Sequence, residues 1–282
     1  MSVSQGPRTG PLTGKVAWVT GSSRGLGRVI ATHLGQLGAS LVVHGSTPTS
    51  TRAFGEGDSL ASVVDEIAEA SGAPVQMVYG DLTDPAAVDR IVSEIIARYG
   101  QIDILVNNAG GDIGVGGTMS PTGGKPDPND AVFIPIEDVR AVIDRNLLSC
   151  VLTCKAVAPG MMERKKGWIV TFGSTGGLAG RADGVIYAAA KAAVHEYTRC
   201  LAAQLRPYNI PVNCIAPGGT VTPRFLATRQ ADPARLEAVD TLERYAQPEE
   251  TARAVAFLVS DPGPFISGQV IRVDGGGQLW PA

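Results

Sequence analysis

This sequence predicts an α/β fold: a doubly wound parallel sheet of about seven strands between two layers of helices. Three features of the chain lead there. Short apolar runs alternate with longer segments of helical period along most of its length. The first run, Lys15 to Thr20, passes through a glycine-rich turn directly into a helical pattern. No apolar run approaches the roughly 20 residues that cross a membrane, so the apolar segments read as core.

Strands are expected near 15–20, 39–44, 75–79, 102–107, 167–173, 210–215 and 269–273. Helices are expected near 25–37, 57–71, 85–99, 137–164, 186–206 and 248–260. The first helix carries Ile30, Leu34 and Leu37 at helical spacing. The third starts at Asp84-Pro85, a capping residue followed by proline at the first helical position. Gln247-Pro248-Glu249-Glu250 opens the last in a similar way.

The chain's 282 residues suit one domain with a large core. Residues 1–11 hold Gly6, Pro7, Gly10 and Pro11 and lack a signal peptide's apolar centre, so they read as a mobile tail. Residues 12–282 then form a single dinucleotide-binding and catalytic domain, expected in the cytoplasm. A net charge of −3 gives no basic stripe for a nucleic-acid partner. Cys150, Cys154, Cys200 and Cys214 form no C-x-x-C pair and read as buried structural thiols. His33, His44 and His195 are scattered without metal-ligand spacing, so no metal is expected. His195 reads as a helix residue at a packing or subunit surface.

Two segments break the pattern. Residues 111–135 are rich in glycine and proline, and follow the fourth strand on the sheet edge where open α/β folds bind ligands. They are expected to shape the mouth of a site. Residues 218–247 contain Arg224, Arg229, Arg235 and Arg244 beside Glu237, Asp240 and Glu243. These acids can neutralise the arginines, so no acidic substrate follows from the sequence.

The chemistry is concentrated in a few residues. Gly21-Ser22-Ser23-Arg24-Gly25-Leu26-Gly27 lies between a strand and a helix, the setting of a dinucleotide site. There the glycines let backbone approach a pyrophosphate, and the helix N-terminus offers free N–H groups. Tyr187 and Lys191 stand four apart on one helix face, where the ammonium favours ionisation of the phenol. Ser174 can hold a carbonyl oxygen beside them. This is equipment for moving a proton on or off an alcohol or carbonyl oxygen.

Taken in order, Thr20-Gly21 to Gly27, Asp81, Asn107-Asn108-Ala109-Gly110, Ser174 with Tyr187 and Lys191, and Pro217-Gly218 resemble the short-chain dehydrogenase/reductase family from about Leu12 onward. The resemblance implies a Rossmann-like fold and nicotinamide-dependent interconversion of a secondary alcohol and a ketone. It implies Tyr187 as general acid/base, Lys191 as its partner and ribose ligand, and Ser174 as the oxygen clamp. Asn146 would be the fourth catalytic residue, perturbing its helix and holding a relay water. Asp81 and Leu82 would meet the adenine. Asn108, Ala109 and Gly110 would lie against the adenosine half, with Asn107 tying neighbouring strands. Pro217, Gly218, Thr220 and Thr222 would grip the nicotinamide. A homotetramer, or a homodimer, would form through the helices at 137–164 and 186–206.

No carboxylate closes the second strand, where one would select NAD. Gly45 stands there, followed by Ser46 and Thr47, with Arg24 in reach; these favour NADP(H) over NAD(H). His44 either joins that site or faces solvent. Rival readings are a 3-oxoacyl thioester reductase, a sugar, polyol, steroid or aromatic-alcohol enzyme, or a non-catalytic dinucleotide sensor.

Overall fold

The computed structural model describes residues 9–260 and 265–279. Seven strands hydrogen-bond in one sheet: β1 (Val16–Val19), β2 (Ser40–Gly45), β3 (Val75–Tyr79), β4 (Ile104–Asn107), β5 (Trp168–Phe172), β6 (Val212–Pro217) and β7 (Val270–Val273). Their order is β3-β2-β1-β4-β5-β6-β7, and every pairing is parallel. Trp18 sits opposite Val42 on one side and Leu105 on the other. All residues of β1, β4 and β5 are buried, as a parallel sheet covered on both faces requires.

Helices α1 (Gly25–Gln36) and α2 (Leu60–Ser71) cover one face together with α9 (Pro248–Val259). Ile30, Leu34, Val63, Ile67 and Val255 fill the core between them and the sheet. The other face is covered by α3 (Pro85–Tyr99), α5 (Ser149–Arg164) and α6 (Val185–Leu205). There Ile91, Ile95, Cys154, Val157, Leu201 and Leu205 surround Trp18. Strand order reverses between β1 and β4, and the turns after those two strands open the crevice in which this topology binds ligands.

Local chemistry sets the boundaries. Asp84 Oδ1 accepts from Ala86 N–H (3.0 Å), starting α3 as expected. Helix α2 starts at Leu60 rather than 57. Gly57 has φ +154°, outside the helical region, and Ser59 caps the helix by accepting from Ser62 N–H at 3.1 Å. The helix expected over 137–164 is interrupted. Helix α4 (Ile136–Ile143) passes into a π-turn at Asp144–Leu148 before α5 begins. Short helices α7 (Pro223–Thr228) and α8 (Pro233–Glu237) occupy the second irregular segment.

Of the expected tail, residues 1–8 lie outside the described part; residues 9–11 are exposed, and Leu12 is fully buried. Cys150, Cys154 and Cys214 are buried, but Cys200 is exposed on the outer side of α6, which corrects the reading of four buried thiols. None of the described helices is long and apolar enough to cross a membrane.

Candidate active site

The end of β5 and the first turns of α6 bring Ser174, Tyr187 and Lys191 together on one cavity. Lys191 is buried in α6, and its Nζ donates to the carbonyl of Phe172 at 2.7 Å. That ammonium lies 5.7 Å from the centroid of the Tyr187 ring. A buried ammonium held by one carbonyl retains protons for a further acceptor. Ser174 Oγ accepts from Gly176 N–H (3.0 Å), so its own proton remains free to donate.

Behind Ser174 stands His195, only 1% exposed. Of the two alternatives read from the sequence, it takes the packing one: it belongs to the core and not to a subunit surface. Its Nε2 accepts from Ser174 N–H at 3.3 Å, fixing the backbone that carries the hydroxyl. Burial lowers its pKa to about 4, and Lys191 and Arg199 push the same way. The ring is therefore neutral near pH 7, with its proton on Nδ1.

Asn146 lies in the π-turn and is buried. Its Nδ2 donates to Val142 O and Gly111 O (both 2.8 Å), while Oδ1 accepts from Gly111 N–H at 2.9 Å. Taking the Val142 carbonyl disturbs the local helix ladder, as the resemblance implied. The remaining bonds pin the first residues of the 111–135 loop. Asn146 does not line the cavity that holds the other three catalytic candidates.

The glycine turn wraps the N-terminus of α1. Gly21 has φ +65°, and a Cβ on Gly27 would come within 2.5 Å of both Gly21 O and Asn108 Nδ2. Asn108 Nδ2 bonds Thr20 O (3.0 Å) and Gly21 O (3.3 Å), tying β4 to the turn. The strand-tying amide is thus Asn108. Asn107 instead bonds Thr153 and Cys154 of α5.

His44 does not face solvent: it is buried, lines the smaller of the two cavities of the crevice, and spends both ring nitrogens on backbone partners. Its Nδ1 accepts from Gly21 N–H (3.1 Å) and its Nε2 donates to Gly80 O (3.1 Å). Burial lowers its pKa to about 4, against opposing pulls from the Gly80 carbonyl and Asp81.

The segment at 46–59, whose last residues fall in the helix expected from 57, folds back over the turn. Its Ser50 carbonyl accepts from Arg24, and its Phe54 ring lies 6.0 Å under the Arg24 guanidinium. Glu56 Oε2 accepts from Gly25 N–H at 2.5 Å. A carboxylate therefore sits at the α1 N-terminus, where the helix favours an anion. Burial pushes the Glu56 carboxyl above its ordinary value, opposed by Gly25 N–H, Arg24 and Arg28. Gly55 and Gly57 were the sequence signs of this fold-back.

Two adjoining cavities span the crevice. The larger, about 520 Å³, is lined by Gly25 and Leu26, by Ser174, Tyr187 and Lys191, and by Pro217, Gly218, Thr220 and Thr222. The smaller, about 400 Å³, is lined by Gly21, Ser23, Ser46, Asp81, Leu82 and Ala109. Arg24 and Gly110 line both, and Asn108 lines the larger. Gly27 lines neither and acts by letting the turn close. The 111–135 loop sends Asp112 and Lys125 into the larger cavity, and Ile113 and Thr118 into the smaller. Gln278, Arg181 and Arg224 also face the larger cavity, and none was singled out as a site residue from sequence.

An elongated ligand with an anionic centre fits this crevice. The N–H of Gly25 already takes an anion, and the two cavities meet at Arg24. A family model described as enoyl-(acyl carrier protein) reductase matches residues 21–278. The chain belongs to the short-chain dehydrogenase/reductase family. As a member it is an oxidoreductase acting on CH–OH donors.

It is 38% identical over 273 residues to a cyclohexanol dehydrogenase of Rhodococcus sp. (strain TK6), covering 94% of this chain and 97% of the relative. It is 34% identical over 263 residues to a 3-oxoacyl-(acyl-carrier-protein) reductase of Escherichia coli (strain K12), covering 93% and 97%. Among solved structures, a 7α-hydroxysteroid dehydrogenase complexed with NADH and 7-oxo glycochenodeoxycholic acid superposes with TM-score 0.79 at 31% identity, covering 94% of this chain and 95% of that one.

Proposed function

We propose that this protein is an NADP(H)-dependent oxidoreductase that interconverts a small secondary alcohol and its ketone. The observation that carries this reading is the convergence of Ser174, Tyr187 and Lys191 on one cavity that runs on to the glycine turn. Gly21, Ser23, Ser46, Asp81, Leu82 and Ala109 would hold the adenosine half of the cofactor. Gly25, Leu26, Asn108 and Gly110 would hold its phosphates and adjoining ribose, and Pro217, Gly218, Thr220 and Thr222 its nicotinamide end. The bound nicotinamide supplies or accepts the hydride.

The chain's own groups do the rest. Ser174 donates to the substrate oxygen, and Tyr187 gives that oxygen a proton in reduction or takes one in oxidation. Lys191, anchored on Phe172 O, holds a positive charge beside the phenol. His195 keeps Ser174 in place from behind. Asn146, as a member of the proton relay, would act from the π-turn beside Gly111.

NADP(H) is favoured because no carboxylate closes or directly follows β2, where Gly45 stands against the 46–59 segment. A Cβ at Gly45 would come within 2.5 Å of Ser50 Oγ. Ser46, Thr47 and Arg24 line the cavity where a 2′-phosphate would lie. Likeness to the cyclohexanol dehydrogenase, at 38% identity, supports a small cyclic or secondary alcohol over a thioester. Assembly as a homotetramer in the cytoplasm fits a face of α6 on which Ala189 and Ala192 are exposed. The direct test is a spectrophotometric screen of NADPH and NADH against ketones and alcohols, cyclohexanone and cyclohexanol first. Turnover of a ketone with NADPH preferred is expected. Absence of turnover with either cofactor across the panel would contradict the reading.

A further inference from the structure

The large cavity is strongly cationic in a chain whose net charge is −3. Six cations line it (Arg24, Lys125, Arg181, Lys191, Arg224 and Arg229) against two carboxylates, Glu56 and Asp112. Lys191 belongs to the catalytic centre and Arg24 to the glycine turn. The other four stand around the part of the cavity formed by the 111–135 loop, the turn before α6, and α7. Among the described residues none of the four makes an ion pair with a carboxylate.

The structure separates the arginines that the sequence left neutralised. Arg244 is paired in two-pronged fashion with Glu250 (2.8 and 2.7 Å). Arg235 lies over the Tyr245 ring and donates to Glu243 O at 2.8 Å. Neither faces the catalytic cavity, and Glu237, Asp240 and Glu243 do not line it either. Arg224 and Arg229 do.

Arg224 is the centre of the group. It projects from the first turn of α7, whose Phe225 is buried edge-on against Tyr245. Its Nη2 donates to Asp112 O at 2.7 Å, which fixes the guanidinium across the cavity mouth. Its Nε is buried with no acceptor. Its Nη1 also lacks a hydrogen-bond partner but is not buried, so it is the donor open to an anion in the cavity. Burial lowers the Arg224 pKa, while Tyr187 and Asp112 pull it back, so the guanidinium lies within electrostatic reach of the catalytic phenol. A carboxylate or phosphate suits such a site because its oxygens match the planar donor set of arginine.

We propose that the substrate carries an anionic group, a carboxylate or phosphate, in addition to its reacting carbonyl or alcohol. Arg224 anchors that group, and Lys125, Arg181 and Arg229 supply the surrounding positive field. This rests on the alcohol/ketone reading given above. It assigns Arg224 the task of setting which part of the substrate points away from Tyr187. The 111–135 loop and α7 thus act together as a charge filter at the mouth.

Binding to the protein–NADPH complex tests this without requiring turnover. Cyclohexanol, cyclohexanecarboxylate and cyclohexyl phosphate would be titrated by calorimetry at low and high sodium chloride. At least one anion should bind about tenfold or more tighter than the alcohol, as a charge-assisted contact allows, and the gap should shrink with salt. Which anion wins distinguishes carboxylate from phosphate. Arg224→Met should reduce the preference to threefold or less, an estimate of about one lost charge-assisted contact, with NADPH affinity retained. If Arg224→Met does not fold, Lys125→Gln with Arg229→Gln should narrow the same gap.

Equal binding of alcohol and anions would overturn the proposal. So would an Arg224→Met protein that loses NADPH affinity while keeping its anion preference, since the guanidinium would then serve the cofactor phosphates. Anion preference with no turnover of cyclohexanone or 4-oxocyclohexanecarboxylate would uphold the anion site and contradict the alcohol/ketone reading.

Discussion

Protonating His44 should loosen the glycine turn, and the size of the effect follows from its surroundings. Its Nδ1 accepts from Gly21 N–H at 3.1 Å, so a proton on that nitrogen would face a donor in a buried site. The pKa is accordingly lowered from 6.5 to about 4, mainly by burial. With the folded value depressed, the unfolded chain takes up the proton first as pH falls. The stability involved is fully present above about pH 6.5 and is lost on acidification towards pH 4. A difference of about 2.5 units corresponds to about 3.4 kcal/mol in full, and to about 2.5 kcal/mol at pH 4.5. His44→Gln keeps an acceptor and a donor without titrating. Urea unfolding of parent and variant at pH 7.5 and pH 4.5 should show the parent losing about 2.5 kcal/mol more than the variant. His195, lowered in the same way, titrates in both proteins and cancels in the comparison. Parallel losses in the two proteins would refute the assignment of His44 as a buried neutral tie.

Two further outcomes follow from the same turn. Gly27→Ala places a methyl about 2.5 Å from the Gly21 carbonyl, a backbone atom that cannot give way cheaply; it should cost about 1–3 kcal/mol of stability and weaken NADPH binding, read by thermal unfolding and fluorescence titration. Glu56→Gln removes the carboxylate that occupies the Gly25 N–H. If a cofactor phosphate takes that place, NADPH should bind about two- to fivefold tighter in the variant, the worth of one charge at a helix N-terminus, and weaker binding in a titration would show that Glu56 supports the bound state.

The sheet was legible because its strands are short, apolar and separated by helices of clear period. Every expected strand lies within two residues of its place. The proximity of Tyr187 and Lys191 was legible because they share one helix face, a spacing fixed by local geometry. The long loop at 111–135 was legible as a mouth because its position after β4 is set by topology. What the sequence hid was tertiary. His44 and His195 gave no signal, since which neighbour each ring would meet depends on packing between β2, β3 and the glycine turn, or between α6 and β5. The fold-back of 46–59 was masked by an early helix assignment, although Gly55 and Gly57 marked the break. The arginines of 218–247 could not be sorted from sequence at all. Arg244 pairs with Glu250 across a turn, whereas Arg224 reaches Asp112, a residue far away in the chain.

The proton step at Tyr187 is the centre of this account. Tyr187→Phe keeps the ring beside Lys191 and removes only the hydroxyl to which the proposed mechanism gives the substrate proton. The measurement is kcat for NADPH-dependent reduction of cyclohexanone, or of whichever panel ketone is turned over best, in parent and variant, alongside NADPH affinity by fluorescence titration. The account predicts a kcat lower by about 10²–10⁴-fold, the usual worth of general acid catalysis, with cofactor affinity kept. A Tyr187→Phe protein retaining more than about a tenth of the parent's kcat, a loss smaller than that principle allows, would contradict it.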